Sequence, residues 1–178
     1  SQKLPPKIGY ESILKQLKDQ EGLEDGAEKV LDKEDLYTTQ GSKEDDAHPA
    51  IYPTGKTPSG LDGKDRKLYD LVAKRFLAVF GDAAQRRSVE TSFSVEGELF
   101  SAKAKFTLER NWYDLYEPYV NVTDDPRPEF NEGDTVEVEE VELEAKETQP
   151  PNRYSQSTIV SELEDRDLGT KATRADTI

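Results

Sequence analysis

The spacing of the apolar residues changes near the middle of the chain, and this change restricts the possible folds more than any other feature. Before about residue 85 the spacing is helical, as at Tyr10, Ile13, Leu14 and Leu17, which recur at i, i+3, i+4 and i+7. From Ser88 onward apolar and polar residues alternate with a period of two, which is typical of a half-buried β-strand. Helices followed by an antiparallel β unit and then by the start of another helical unit predict an α+β fold.

Three helices are predicted in the first part of the chain. The stripe that begins at Tyr10 gives the first, and Ala27, Val30 and Leu31 indicate a short second helix. The third and strongest stripe runs over residues 68–80, and Gly81 follows at the position expected for a C-terminal cap. Residues 38–63 between the second and third helices are interrupted by glycine and proline and are predicted to form loops.

The middle of the chain is predicted to be a set of strands. Two alternating runs, 88–95 and 100–108, flank Glu96-Gly97 and indicate a hairpin. The aromatic-rich run 112–119 is interpreted as another strand. Alternation continues from Val136 to Ala145 but slips by one residue, and a bulge at Glu139-Glu140 would restore the inward face.

The end of the chain is predicted to be helical again. Residues 149–152 break the sheet region, and Ser155 or Ser157 would cap a short helix that carries Ile159, Val160 and Leu163. Gly169 would end that helix, and the residues after it would begin another. The sequence therefore predicts boundaries near residues 85 and 150.

Composition limits the kinds of chemistry that the chain can perform. Cysteine is absent from the 178 residues, so disulfides and thiolate chemistry are excluded. A single histidine excludes a multi-histidine metal site, and the sequence has no glycine-rich phosphate loop. No apolar run is long enough to span a membrane. No self-contained active site and no metal site are therefore expected.

The charge distribution is uneven. The net charge of −14 argues, taken alone, against nucleic-acid binding, because phosphate contacts require Lys and Arg. Basic residues nevertheless concentrate in two islands, one between Lys64 and Arg87 and one between Arg153 and Arg174. Each charge run can be an ordinary solvated face or a binding surface, and the composition leaves both open.

His48 is the first candidate site residue. It follows Asp45 and Asp46 and precedes Pro49 in a segment predicted to be a loop. Two interpretations are open from residue chemistry: an incidental loop histidine, or a donor to an anion such as a phosphate oxygen. A charge-assisted hydrogen bond of that type contributes about 1.5–3 kcal/mol.

The segment 169–178 is the second candidate. A glycine turn before a helix start exposes backbone N–H groups and the positive end of the helix dipole, which favour an anion. The side chains of Thr170, Lys171, Thr173 and Arg174 would add donors. An ordinary capped helix is the alternative interpretation.

The chain contains no methionine, including at position 1, and its last residues have the pattern of an opening helix. Both features indicate an internal piece of a longer protein.

Three segments together resemble the type IA DNA topoisomerases, and in particular their archaeal members. Asp-Ala-His-Pro-Ala-Ile-Tyr-Pro-Thr at 46–54 resembles the active-site histidine loop of that family. Leu-Gly-Thr-Lys-Ala-Thr-Arg-Ala at 168–175 resembles the return from the arch to the DNA-binding domain. Ser-Gln-Lys-Leu-Pro-Pro at 1–6 resembles the residues after the nucleophile motif Tyr-Pro-Arg-Thr. The three matches occur in the family's order.

The resemblance implies a domain assignment. Residues 1–85 would be the helical part of the domain that carries the nucleophile, residues 86–150 part of the β arch or hinge domain, and residues 151–178 the start of the helical single-strand DNA-binding domain. None of the eight tyrosines lies in a Tyr-x-Arg-Thr context, so the nucleophilic tyrosine is expected to precede Ser1. The family's magnesium-binding acidic motif has no counterpart here, so Mg²⁺ is expected in the parent enzyme and no cofactor in this chain.

The resemblance also implies an activity and partners. The family cuts one strand of negatively supercoiled DNA, holds its 5′ phosphate on tyrosine, passes another strand and reseals the cut. By the same resemblance His48 would contact the scissile phosphate and Thr173 a DNA phosphate, with Lys171 and Arg174 as further DNA contacts. Tyr52 departs from the arginine of many relatives, which weakens a phosphate role there. The parent enzyme is expected to bind single-stranded DNA as a cytoplasmic, nucleoid-associated monomer without a membrane partner, and this piece is expected to be inactive alone.

An acidic, non-catalytic protein-interaction module is the alternative function. It is suggested by the net charge and by an aromatic set expected to be exposed, namely Trp112, Tyr113, Tyr116 and Tyr119. A stand-alone hydrolase with His48 as base is disfavoured, because no Ser, Cys or Thr is placed by sequence to be its partner.

Overall fold

The computed structural model describes residues 3–5, 7–42, 50–170 and 173–174. Helices and a two-stranded antiparallel sheet follow one another along the chain, which confirms the predicted α+β class. The chain forms two compact units, Ser1–Asn131 and Glu132–Ile178. No helix within the described residues is long and apolar enough to cross a membrane.

The first unit begins with two short helices, α1 (Tyr10–Lys18) and α2 (Glu24–Leu31), both predicted from their apolar spacing. Ile13, Leu14 and Leu17 of α1 are buried. Gly9 precedes α1 with a φ of 75°, a left-handed conformation that glycine adopts without a Cβ clash. The described residues between α2 and the third helix form no helix or strand, in agreement with the predicted loop.

The long helix α3 (Gly63–Ala78) lies against these two and begins at an N-cap aspartate. The Asp62 carboxylate accepts hydrogen bonds from the backbone N–H groups of Lys64 (3.0 Å) and Asp65 (3.1 Å). These two helix-end N–H groups would otherwise have no partner within the helix. Hydrogen bonds from the N–H of Asp65 and of Lys64 lower the pKa of Asp62, because they stabilise its ionised form.

One hydrophobic core joins the three helices. Thirteen buried apolar residues, from Leu4 to Leu115, make up this core. Tyr10, Phe76 and Phe80 form an aromatic cluster within it, and the Phe76 and Phe80 rings meet edge to face with centroids 5.2 Å apart. Apolar burial of this kind is the main favourable free energy of a domain of this size.

The predicted hairpin is confirmed as β1 (Gln85–Val95) and β2 (Glu98–Glu109), which pair antiparallel with Val95 opposite Glu98. Glu96 and Gly97 form the two-residue turn with φ values of 51° and 92°. Positive φ at both positions defines a type I′ turn, whose twist matches that of the flanking strands.

The outer edge of β2 near the helices is covered by residues 123–127. The backbone N–H of Asp125 donates to the Lys105 oxygen (2.8 Å), and the Lys105 N–H donates to the Asp125 carboxylate (2.7 Å). Arg86 on β1 donates to the Thr123 oxygen at 2.8 Å and to the Asp124 carboxylate at 3.2 Å. These contacts occupy some of the backbone hydrogen-bonding groups at the edge of the sheet, which would otherwise be available to another strand.

Residues 112–119 are not a strand, and that prediction is wrong. Trp112–Tyr116 forms a short helix, α4, and the Glu117–Pro118 bond after it is cis. The helical turn brings Leu115 into the core of the first unit and places Trp112 directly against Gly81. The packing of these side chains outweighs the aromatic strand propensity of the segment.

Gly81 has a different role from the predicted helix cap. The cap of α3 is Val79, and Gly81 does not have a positive φ. A Cβ at Gly81 would lie 2.6 Å from the Trp112 Cβ and 2.7 Å from its Cα. The residue is small because α4 passes directly over its backbone.

The second unit contains no strand within its described residues, so the predicted strands over 136–145 and the bulge at Glu139-Glu140 are wrong. The turn at 131–134 is present, and Gly133 has a φ of 91°. Residues 135–154 beyond it form no helix or strand, and the Leu143 side chain is fully exposed. Alternation alone does not make a strand, because a strand is stable only when its backbone groups pair with a neighbour.

The predicted C-terminal helix is confirmed as α5 (Gln156–Asp165). Ser155 caps it, and the Ser155 and Thr158 side chains form a reciprocal capping box. The helix does not end at Gly169 as predicted. Asp167 takes the left-handed position with a φ of 53°, and the N–H groups of Leu168 and Asp167 donate to the oxygens of Leu163 (2.8 Å) and Glu164 (3.0 Å). This pattern is a Schellman motif closed two residues before the glycine.

Candidate functional site

His48 lies outside the described residues, and so do the others of 43–49, but both stems of this segment are described. The backbone N–H of Leu4 donates a 2.7 Å hydrogen bond to the side-chain oxygen of Gln40. The backbone N–H of Ala50 donates to the Lys3 oxygen at 3.3 Å. The amino-terminal segment thus joins the two stems of the segment that carries His48.

The chain after His48 is held against the helical core. Tyr52 packs against the core and Pro53 is buried. The Gly55 oxygen accepts a 2.7 Å hydrogen bond from Nε2 of Gln20, and a Cβ at Gly55 would lie 3.1 Å from the Gln16 side chain. Gly55 has a φ of 88°, so both its backbone conformation and its surroundings favour glycine.

Gln20 connects three parts of the first unit and was not among the residues predicted from the sequence. Its side chain is only 5% exposed, donates to the Gly55 and Gln16 oxygens, and accepts a 2.7 Å hydrogen bond from the Tyr69 hydroxyl on α3. Burial raises the pKa of Tyr69. The signal in the sequence is a polar residue three positions after Leu17, just beyond the end of α1, where the apolar face of the helix would continue and a buried polar group needs a hydrogen bond.

The structure places Thr173 and Arg174 in a single turn after α5. The Thr173 hydroxyl accepts from the Thr170 N–H at 3.0 Å, and the Arg174 N–H donates to the Thr170 oxygen at 3.0 Å. Nε of Arg174 donates to the Leu168 oxygen at 2.9 Å. Lys171, the remaining predicted DNA contact, lies outside the described residues.

Among the described residues, no group of three or more His, Asp or Glu side chains is arranged to hold a metal ion.

The aromatic set that suggested a protein-interaction module is only partly exposed. Tyr113 is buried at 8% exposure, which corrects the expectation that all four rings are exposed. Trp112, Tyr116 and Tyr119 are half-buried, and their rings form a row with centroid separations of 6.2 and 5.7 Å.

Comparison with known proteins agrees with the sequence motifs. A family model described as DNA topoisomerase matches residues 1–178. The chain is 42% identical to DNA topoisomerase 1 of Methanothermobacter thermautotrophicus over all of its length and 24% of that protein. It is 40% identical to DNA topoisomerase 1 of Pyrococcus horikoshii over 98% of the chain and 26% of that protein. The mouse DNA topoisomerase 3-alpha is 34% identical over 85% of the chain and 15% of that protein.

The chain spans about a quarter of the length of the archaeal relatives that it matches. Since the family match extends over every residue, the chain belongs to the DNA topoisomerase family.

Proposed function

We propose that the chain supplies the histidine phosphate contact of a type IA DNA topoisomerase, an enzyme that relaxes negatively supercoiled DNA by transient single-strand cleavage and strand passage. In this proposal the cut strand is held as a 5′-phosphotyrosine, and the nucleophilic tyrosine is in a segment before Ser1. His48 donates a hydrogen bond to the scissile phosphate and stabilises the charge that develops there.

One observation carries the proposal. Lys3 and Leu4 are hydrogen-bonded to Ala50 and Gln40, on either side of the segment that contains His48. A nucleophile a few residues before Lys3 would therefore be linked through short stretches of chain to the histidine loop. Such a linkage supports a common site for both groups, because catalytic groups act only when held in a fixed mutual geometry.

The remaining assignments are proposed on the same basis. The regions 1–85, 86–150 and 151–178 would be the nucleophile-carrying domain, the arch or hinge, and the start of the single-strand-binding domain. Thr173, Lys171 and Arg174 would contact DNA phosphates. Mg²⁺ would be held elsewhere in the enzyme, and the enzyme would act as a monomer in the cytoplasm on nucleoid DNA.

The test is His48→Ala in the full-length enzyme. Cleavage and religation of a single-stranded oligonucleotide are expected to slow by about 100-fold, which is the typical effect of removing one donor to a developing oxyanion. Far-UV circular dichroism and the thermal midpoint should remain unchanged. His48→Gln, which keeps an N–H donor, should recover part of the rate.

Lys56→Gln is the matched control, because Lys56 is exposed on the chain that follows the same loop. It should cleave and religate at the wild-type rate. Wild-type rates in the His48→Ala enzyme would remove His48 from the mechanism.

The chain on its own provides a second test. None of its tyrosines lies in the nucleophile motif, so it is expected not to relax negatively supercoiled plasmid with Mg²⁺. Relaxation, followed by detection of a tyrosine–DNA adduct by mass spectrometry, would show that one of these tyrosines is the nucleophile.

A further inference from the structure

The outward face of α3 and the row of tyrosines beside it form a surface that the histidine loop does not use. We define the α3–α4 strip as the following side chains: Lys64, Lys67, Leu68, Arg75, Tyr116 and Tyr119. We propose that this strip binds single-stranded DNA, with phosphates on its cations and bases on its tyrosine rings. The proposal rests on the DNA-binding function proposed above and adds a contact surface to it.

The cations of the strip lie on one side of the helix. Positions 64, 67, 68 and 75 point within a sector of about 100° at the helical angle of 3.6 residues per turn. The opposite side of α3 carries Ala73, Phe76 and Leu77, which are buried in the core. From Lys64 to Arg75 the strip is roughly 16 Å long.

Three cations of the strip make no ion pair with the carboxylates of the described residues. Within the described residues, Lys64, Lys67 and Arg75 have no carboxylate oxygen within 4.0 Å of their charged nitrogens. Lys74, at the side of the strip, pairs with Asp70 at 3.5 Å. The chain as a whole has a net charge of −14. A face with three cations that make no ion pair is therefore suited to binding a polyanion.

The tyrosine rings give the surface a second property. The Arg75 guanidinium lies over the Tyr116 ring, 5.5 Å from its centroid, and Tyr116 lies 5.7 Å from Tyr119. The Tyr119 hydroxyl donates to the Asp70 carboxylate at 2.7 Å and lies 3.2 Å from the Lys67 backbone oxygen, which places the ring beside α3 at Lys67. Both rings are half-buried and keep part of their surface open.

An apolar side chain completes the surface. Leu68 is 60% exposed between the cations of α3, so the strip combines charge with apolar area. Single-stranded nucleic acid matches this combination, because its bases are unpaired and can stack on aromatic rings while its backbone follows the positive charge. Duplex DNA buries its bases and would engage the cations alone.

The experiment measures binding of a fluorescent oligothymidine to this chain as a function of salt. Lys67→Gln with Arg75→Gln removes two phosphate contacts, so the slope of log K against log salt should become shallower by about 1.4. At about 50 mM salt the affinity should fall roughly 10- to 100-fold. The charge-preserving pair Lys67→Arg with Arg75→Lys should bind nearly as the wild type does.

The matched control removes the same charge elsewhere. Arg87 and Lys105 are exposed cations of the hairpin, outside α3 and α4, and no carboxylate of the described residues lies within 4.0 Å of the charged nitrogens of either. Arg87→Gln with Lys105→Gln should therefore leave the slope close to that of the wild type. Equal losses in both double variants would show a general charge effect and overturn the proposal.

A photocrosslink tests the aromatic part directly. An oligonucleotide with 5-iodouracil should crosslink to Tyr116 or Tyr119, as mapped by mass spectrometry, and duplex DNA should compete poorly. Polyglutamate that competes as well as oligothymidine would instead indicate an acidic protein partner and overturn the proposal. Absence of saturable binding by the wild-type chain at low salt would also overturn it.

The two proposals fail separately. The strip is tested by binding to a chain in which His48 is intact, whereas the histidine is tested by cleavage and religation rates. Loss of the strip's binding without a change in those rates is therefore distinguishable from loss of His48 function.

Discussion

The Tyr69 hydroxyl on α3 donates a 2.7 Å hydrogen bond to the side chain of Gln20, which lies 49 residues earlier, just beyond α1. Through the same amide, Nε2 of Gln20 reaches the Gly55 oxygen on the chain that follows the histidine loop. A single buried amide thus joins two helices to the segment on which the proposed catalytic group depends.

Replacing the side-chain amide of Gln20 should lower the stability of the first unit. Gln20→Leu leaves the Gly55 oxygen and the Tyr69 hydroxyl without their partner, so the free energy of unfolding should fall by about 1–3 kcal/mol. Tyr69→Phe removes one hydrogen bond and keeps the ring, and should cost about 0.5–1.5 kcal/mol. Urea unfolding measures both.

The double variant provides the control for this pair. Because the two residues share a hydrogen bond, the two losses should add to more than the loss in the double variant. Strict additivity would mean that the bond contributes nothing to stability.

Alanine substitution at two glycines without a positive φ should change the stability of the protein in opposite directions. Gly81→Ala forces a methyl group to within 2.6 Å of Trp112, and overpacking of this kind costs about 1–3 kcal/mol. Gly63→Ala, at the start of α3, meets no atom within 4 Å and should be neutral or stabilising by up to about 1 kcal/mol. The midpoints of thermal unfolding of the two variants show whether Gly81 is required because a side chain would clash with α4. Equal midpoints would contradict the assigned contact between Gly81 and α4.

The hairpin should become more stable if Glu96 in its turn is replaced by a residue that adopts the left-handed backbone conformation more easily. Glu96 has a φ of 51°, which asparagine and glycine tolerate better than glutamate. Glu96→Asn should therefore stabilise the hairpin by about 0.5–1 kcal/mol, whereas Gly97→Ala, at a φ of 92°, should destabilise it. Amide hydrogen exchange of β1 and β2 reports the change locally. Faster exchange in Glu96→Asn would exclude the type I′ assignment.

The contact between Asp124 and the hairpin should weaken in acid. Hydrogen bonds from the Thr107 backbone and hydroxyl, with the Arg86 guanidinium, lower the pKa of Asp124 below its ordinary value of 3.8. Since the folded-state pKa is depressed, the stabilisation is present above pH 3.8 and is lost as pH falls through the folded value. Asp124→Asn should be less stable than the wild type at neutral pH and should approach it in acid.

Urea midpoints over a pH series measure this difference. Glu129→Gln, an exposed charge on the same segment, controls for the loss of one negative charge. A difference between Asp124→Asn and the wild type that is as large at low pH as at neutral pH would contradict the linkage.

Several features of the fold could be predicted from the sequence because they depend on near neighbours. The stripe of Ile13, Leu14 and Leu17 specifies α1, and Glu96-Gly97 between alternating runs specifies the hairpin. Ser155 and Thr158 lie three residues apart and specify the start of α5. The motif around His48 could likewise be recognised, since it is a contiguous run of residues.

Other features depended on residues far apart in the chain. Whether Trp112–Tyr116 is a strand or a helix was decided by the place of Leu115 in the core and by the space above Gly81. Val136 and Val138 alternate as a strand would, but no described segment pairs with them. The anchoring of the histidine loop depends on Lys3, Gln20 and Gln40, which no local pattern connects to it.

The sequence by itself determined α1, α2, α3, α5, the hairpin and the family motifs, because periodicity, capping and turn formation are properties of residues within a few positions of one another. The tertiary structure alone decided the form of α4, the absence of a strand over the described residues 136–145, and the hydrogen bonds at the two stems of the segment 43–49. Each of these depends on which distant backbone or side-chain groups come within contact distance, and that becomes fixed only when the core packs.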